Sequence, residues 1–125
     1  MTYYVGQKVR ASELNPGAWQ TITLGASWTN RATYAVASYR LLPGGFNVQL
    51  VLNITGGTTT NATTIFTFAS GFRPASIVQV PLISRIAAAP QVMGALEIDT
   101  AGVAKIYDIG ASTTLHTNAV FPIDL

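Results

Sequence analysis

Residues 46–54, FNVQLVLNI, alternate without a break. Phe46, Val48, Leu50, Leu52 and Ile54 fall on one side, and Asn47, Gln49, Val51 and Asn53 on the other. A helix has a period of 3.6 and cannot gather residues spaced by two onto one stripe, whereas a strand places every second side chain on the same face. The run therefore reads as a strand with one apolar face and one uncharged, amide-rich face. Pro43-Gly44-Gly45 turns the chain before it, and Gly56-Gly57 breaks it afterwards, since glycine takes backbone conformations closed to other residues.

Shorter runs of the same kind fill the rest of the chain. Trp19–Leu24, Tyr34–Leu41, Ile65–Phe68, Ser76–Val80, Val92–Asp99, Val103–Ile109 and Ala119–Ile123 each pair alternation with β-branched or aromatic residues. Ser70-Gly71 marks a tight turn, and Arg73-Pro74 keeps the chain extended beyond it, because proline steers its predecessor away from the α region. Thr100-Ala101-Gly102 joins a hairpin. Pro81 is expected to end a strand or mark an edge, and Pro122 points to an edge strand. Ile86–Pro90 (IAAAP) reads as a loop. These segments make about eight short strands at roughly ten-residue spacing, with no helix, which predicts an all-β fold: a single jelly-roll-like β-sandwich. Residues 1–18 read as an N-terminal arm, with Tyr3, Tyr4, Val5, Val9 and Leu14 as its attachment residues, and residues 19–125 as the sandwich domain.

Charge narrows the function. Seven basic and five acidic residues give a net charge of +2, too small and too scattered for a nucleic-acid face. Without cysteine, neither a disulfide framework nor a thiolate metal site is available. The first residues lack a basic stretch followed by an apolar one, so no signal peptide is expected. The nearly uncharged middle is interrupted too often by Gly, Pro, Asn and Thr for a membrane-inserted helix. Two glycosylation sequons, at Asn53 and Asn61, are read as chance matches. Only 10% of residues are charged against about 25% in typical domains, while 49% are hydrophobic. Such depletion is the mark of surfaces that meet other subunits, so a homo-oligomer is expected.

No group of residues makes a catalytic signature. His116 is the only histidine, and neither a nucleophile elbow nor a second imidazole accompanies it. Glu97 and Asp99 share a strand face in this reading, but Asp99 also suits the start of the following turn. Asp99 and Asp108 lack the six or more oxygen ligands that calcium takes. The expectation is a protein that is not an enzyme and holds no cofactor or metal. The aromatic residues carry the binding signal. Trp28-Thr29-Asn30-Arg31 lies in a loop signal between strands, where an exposed indole would stack on a sugar ring. Trp28, Asn30, Arg31, Tyr34 and His116 are the candidate ligand-binding residues.

The segment IFTFASGFRP, Ile65–Pro74, resembles a recurring element of phage tail-fibre, baseplate and minor-tail proteins, in which an apolar strand runs into Gly-aromatic-Arg-Pro. Ala69-Ser70 departs from the Pro-Ala or Pro-Ser that usually precedes it. Tyr39-Arg40 leading to the strand that ends in Gly-Gly-Thr agrees in order, as does the EIDTAGV hairpin at Glu97–Val103. Val9–Asn15 resembles the opening of many phage virion proteins. The resemblance implies a β-sandwich virion component, commonly trimeric, made in the host cytoplasm, with Arg73 and Pro74 structural. Its expected partners are other virion proteins and a host-surface glycan, in a tail-fibre or receptor-binding role. The alternative is a capsid decoration or head-fibre protein held to the shell by its arm.

Overall fold

The computed structural model describes residues 15–85 and 91–123. The expected attachment residues Tyr3, Tyr4, Val5, Val9 and Leu14, and the expected loop at 86–90, lie outside the described residues. Those described form nine strands and no helix: β1 (Gln20–Thr21), β2 (Thr29–Asn30), β3 (Ser38–Leu41), β4 (Asn47–Thr55), β5 (Thr63–Thr67), β6 (Val78–Arg85), β7 (Gln91–Ile98), β8 (Val103–Tyr107) and β9 (Thr114–Pro122).

All nine belong to one antiparallel sheet in the order β1-β3-β4-β9-β6-β7-β8-β5, with β2 added to the end of β4 beyond β3. The sheet curls until its halves face each other. β4 and β9 pair along nine residues and β6 and β7 along eight, but β6 and β9 share three pairs, Ile83–Arg85 against Thr114–His116. That short ladder is the corner at which one half turns away from the other. The expected sandwich is present, its two layers being the halves of a single curled sheet.

The alternation at 46–54 becomes packing in β4. Val48, Leu50, Leu52 and Ile54 are fully buried, whereas Asn47, Gln49, Val51 and Asn53 line the outer face. Phe46, expected on the buried side, is instead 48% exposed, because the strand begins one residue after it. Phe68, just past the end of β5, crosses the core to the opposite layer, its ring 4.6 Å from Tyr39 of β3 and 5.3 Å from Phe121 of β9. Tilted and edge-on pairs of this kind add about 0.5–1.5 kcal/mol each to area burial. The Tyr39 hydroxyl, placed among apolar groups, accepts a hydrogen bond from the Ala69 N–H at 2.9 Å, so its polar end is not left unpaired.

Two motif pieces distant in sequence lock together. The Arg73 Nε donates to the Phe68 carbonyl at 2.9 Å, and the Phe68 N–H donates to the Gly102 carbonyl at 2.8 Å. Gly102 has φ +80, and a Cβ there would lie 2.8 Å from Arg73 Cγ and 2.9 Å from the Phe68 oxygen. Only glycine fits both the turn and the crossing of the arginine stem. Asp99 starts the turn, its Oδ1 accepting from the N–H groups of Ala101 and Val103 at 2.9 and 3.0 Å. It therefore sits in a turn rather than on the same strand face as Glu97.

Pro81 does not end its strand but does mark a stretch of β6 that has a ladder partner on one side alone, and Pro122 sits differently from expectation. Pro81 is inside β6, which runs on to Arg85. It lies just before the ladder to β9 starts at Ile83, so its missing N–H costs that ladder nothing. β9 is a central strand flanked by β4 and β6, with Pro122 at its last position, opposite Asn47. At the other end, the Gly17 N–H donates to the Leu41 carbonyl at 2.8 Å, ahead of the first strand.

Candidate functional site at the sheet corner

The corner between β6 and β9 places outward side chains of three strands in two rows. Thr55, Thr114 and Arg85 stand in one register row, and Asn53, His116 and Ile83 in the next. Residues two apart share a face, so Asn53, Thr114, His116 and Arg85 all face outwards here. Beside them, β2 and β3 both pair with β4 but leave Leu52 and Asn53 between them, and residues 31–37 bridge the gap as a short excursion. The Arg31 N–H donates to the Asn53 carbonyl at 3.0 Å, and the Tyr34 N–H to the Arg31 carbonyl at 3.3 Å. Thr33, at φ +70, gives the excursion its turn.

The result is a small polar cavity of about 170 Å³ lined by Arg31, Tyr34, Asn53, Arg85, Thr114 and His116. Arg31 lies with its guanidinium carbon 4.0 Å from the centre of the Tyr34 ring. That cation–π contact holds a long side chain in place at a worth of about 0.5–1 kcal/mol for an exposed pair. Among the described residues, no carboxylate lines the cavity. The lining offers an aromatic ring, two guanidinium groups, an imidazole, an amide and a hydroxyl.

Of the five residues expected to bind ligand, Arg31, Tyr34 and His116 meet here, although 82 residues separate Tyr34 from His116. Asn30 supports the site from behind. Its Oδ1 accepts from the Ala37 N–H at 2.9 Å, clamping the two ends of the excursion. Trp28 is not at the surface; it is 2% exposed. The turn Gly25–Trp28 carries positive φ at both central residues, Ala26 (53) and Ser27 (64), and closes with the Trp28 N–H on the Gly25 carbonyl at 3.1 Å. It directs the indole inward, where Nε1 donates to the Thr58 carbonyl at 3.1 Å. Gly57 makes room, since a Cβ there would overlap the indole Cγ, Cδ1 and Cδ2.

Asn53, Thr114 and Arg85 complete the cavity without having been singled out in sequence. The polar face of the 46–54 run contained Asn53, but its place opposite His116 depends on β4–β9 register. Arg85 gave no local signal at all. A larger cleft of about 600 Å³ follows the seam where the two ends of the sheet meet, beside β5 and residues 21–25. Its one cation, Arg73, is engaged by the Phe68 carbonyl. A shallow apolar hollow of about 400 Å³ on the outer face is lined by Trp19, Thr21, Ala35, Val36, Ser38 and Val51.

No protein-family model matches this sequence, and no curated protein does. In three dimensions the chain is similar to the crystal structure of the receptor binding protein (gp15) of Listeria phage PSA, with a TM-score of 0.64 and 10% sequence identity. The match covers 87% of this chain and 66% of that one, so this chain spans just under two thirds of its structural neighbour. At that identity the likeness establishes a shared fold: the curled all-β architecture described above also occurs in a phage receptor binding protein.

Proposed function

We propose that this chain is a phage virion protein of the receptor-binding type, which attaches to a host-surface glycan through the cavity at the β6–β9 corner and carries out no catalysis. The observation that carries this reading is the convergence of Arg31, Tyr34, Arg85 and His116 on one outward-facing cavity that no carboxylate of the described residues lines. The guanidinium groups can donate to the oxygens of a saccharide, while the face of the half-exposed Tyr34 ring that Arg31 does not cover can pack on its apolar carbons. The fold shared with a phage receptor binding protein supports the same reading, as do the motif resemblances at Ile65–Pro74 and Glu97–Val103.

In this reading the protein works as a homotrimer placed on the tail, with residues 1–18 leading into the virion. Support for assembly comes from the outer face of the sheet, where Trp19 (44%), Val36 (51%) and Val120 (54%) are exposed. Isolated exposed apolar residues are ordinary, but Trp19, Val36 and Val51 share one hollow, as surfaces that meet a partner do. Adsorption of the purified, fluorescently labelled protein to host cells tests the reading. Wild type should label cells, the Arg31→Gln/Arg85→Gln double variant should not, and glycosidase or periodate treatment of the cells should abolish labelling. Equal labelling by both proteins would reject the site. Antibody bound over the head of purified virions would reject the placement on the tail.

A further inference from the structure

The charges of the described residues are unevenly committed. Arg40 lies over the Trp19 ring, 4.3 Å from its centre, and donates to Gln49 Oε1 at 2.9 Å. Arg73 is held by the Phe68 carbonyl. Lys105 stands opposite Glu97 in the β7–β8 ladder, and Glu97 also accepts from Gln79 Nε2 at 3.2 Å. Asp99 is taken up by its turn. The two remaining arginines, Arg31 (stacked on Tyr34 within the cavity wall) and Arg85, both line the corner cavity, together with His116. Two guanidinium groups brought to one small cavity repel each other, and the arrangement becomes favourable when a negative charge lies between them. Guanidinium also matches the oxygen pairs of phosphate and carboxylate in a way that neutral hydroxyls do not.

Size adds a second constraint. Pockets that enclose a whole small ligand run to about 300–1,000 Å³, and this one holds about 170 Å³. It admits one compact group and leaves the rest of a longer molecule outside, along the outer face of the sheet. We infer that the corner cavity binds a single anionic group, a phosphodiester or a carboxylate, borne by a surface polysaccharide. The inference rests on the glycan-binding reading given above and adds the chemical class of the recognised group. Arg31 and Arg85 supply the charge, with Arg31 held by Tyr34 and its loop clamped by Asn30. His116, Thr114 and Asn53 supply further hydrogen-bonding groups around the anion.

The test compares binding of the intact protein to poly(glycerol phosphate), to oligogalacturonate and to neutral dextran, by biolayer interferometry at low and high salt. The variants are Arg31→Gln and Arg85→Gln, with Arg40→Gln as an off-site control and thermal unfolding as a check on folding. At least one anionic polymer should bind, and the one that does identifies phosphate or carboxylate as the source. Dextran should give no signal, and added salt should weaken the complex. Each site variant should lose about tenfold in affinity or more, the scale of one lost charge-assisted hydrogen bond, while Arg40→Gln stays near wild type. Dextran binding as tightly as the anionic polymers, site variants that bind like wild type, or silence from both anionic polymers would each overturn the inference. Labelling of host cells separates the two levels. Cells still labelled in a glycan-dependent way, with both anionic polymers ignored, would refute the anion and leave the surface-binding reading standing. Loss of both signals would refute both.

Discussion

Replacing Trp28 with alanine separates a core residue from a ligand-binding one. The indole is 2% exposed, its Nε1 is hydrogen-bonded to the Thr58 carbonyl, and Gly57 packs against the ring. Truncation of a buried aromatic to alanine costs about 3–5 kcal/mol, combining lost transfer energy with the cavity left behind. For a domain between the small and medium size classes, each kcal/mol moves Tm by about 3–5 °C. Trp28→Ala should therefore lower Tm by roughly 10–20 °C in thermal unfolding followed by circular dichroism. Trp28→Phe, which keeps most of the apolar volume and gives up the N–H, should fall in between. Gly57→Ala supplies an internal control. Its new Cβ would collide with the indole, so the change should destabilise strongly in the wild-type background and much less once Trp28 is alanine. Residues in contact give such non-additivity, whereas distant ones add. A Trp28→Ala protein that unfolds within about 1 °C of wild type, far less than truncating a buried indole costs, and has lost adhesion to cells would refute this reasoning and return the indole to the surface.

Gly102→Ala should cost at least about 1–2 kcal/mol from its positive φ alone, plus the clash with Arg73. Changing Arg73 to alanine as well should relieve the clash with the arginine stem but not that with the Phe68 carbonyl, which a double-mutant cycle in urea would show. Leu52→Ala, at a fully buried position in the centre of β4, should lose about 2–5 kcal/mol, read as a lower urea midpoint with unchanged slope. Asn30→Ala should weaken polymer binding with a smaller stability loss, because it frees the Ala37 N–H and the loop carrying Arg31 and Tyr34; intact binding would mean that the clamp is unnecessary. Wild type should sediment near three times the 13.2 kDa of one chain, and Val36→Lys should shift it towards the single chain by burying a charge in the contact. A wild type that stays at 13.2 kDa would remove the trimer.

The all-β class was legible because period-2 runs report burial directly. Every second residue of 48–54 is buried, as the alternation required. Turns built on glycine were equally plain, as at Gly44-Gly45, Gly71 and Gly102, all with positive φ. The inward turn at Ala26-Ser27 was not, since neither residue advertises a left-handed backbone, and this is why Trp28 reads as exposed in sequence and is buried in the fold. Pairing order was hidden for a similar reason. Pro122 suggests an edge, yet β9 runs between β4 and β6 and tolerates proline only because it sits at the strand's end. Three site residues were recognisable by type, namely Arg31, Tyr34 and His116. Arg85 was not, because its role comes from a three-pair ladder joining strands about thirty residues apart.

Entry of ligand at the β6–β9 corner is tested by titrating ¹⁵N-labelled protein with the bound surface polymer and following each residue by NMR. The account predicts that the largest shifts fall on the amides and side chains of Arg31, Tyr34, Asn53, Arg85, Thr114 and His116. Shifts confined to the seam cleft around Thr21–Gly25 and Thr64–Ala69, with the corner unmoved, would contradict it.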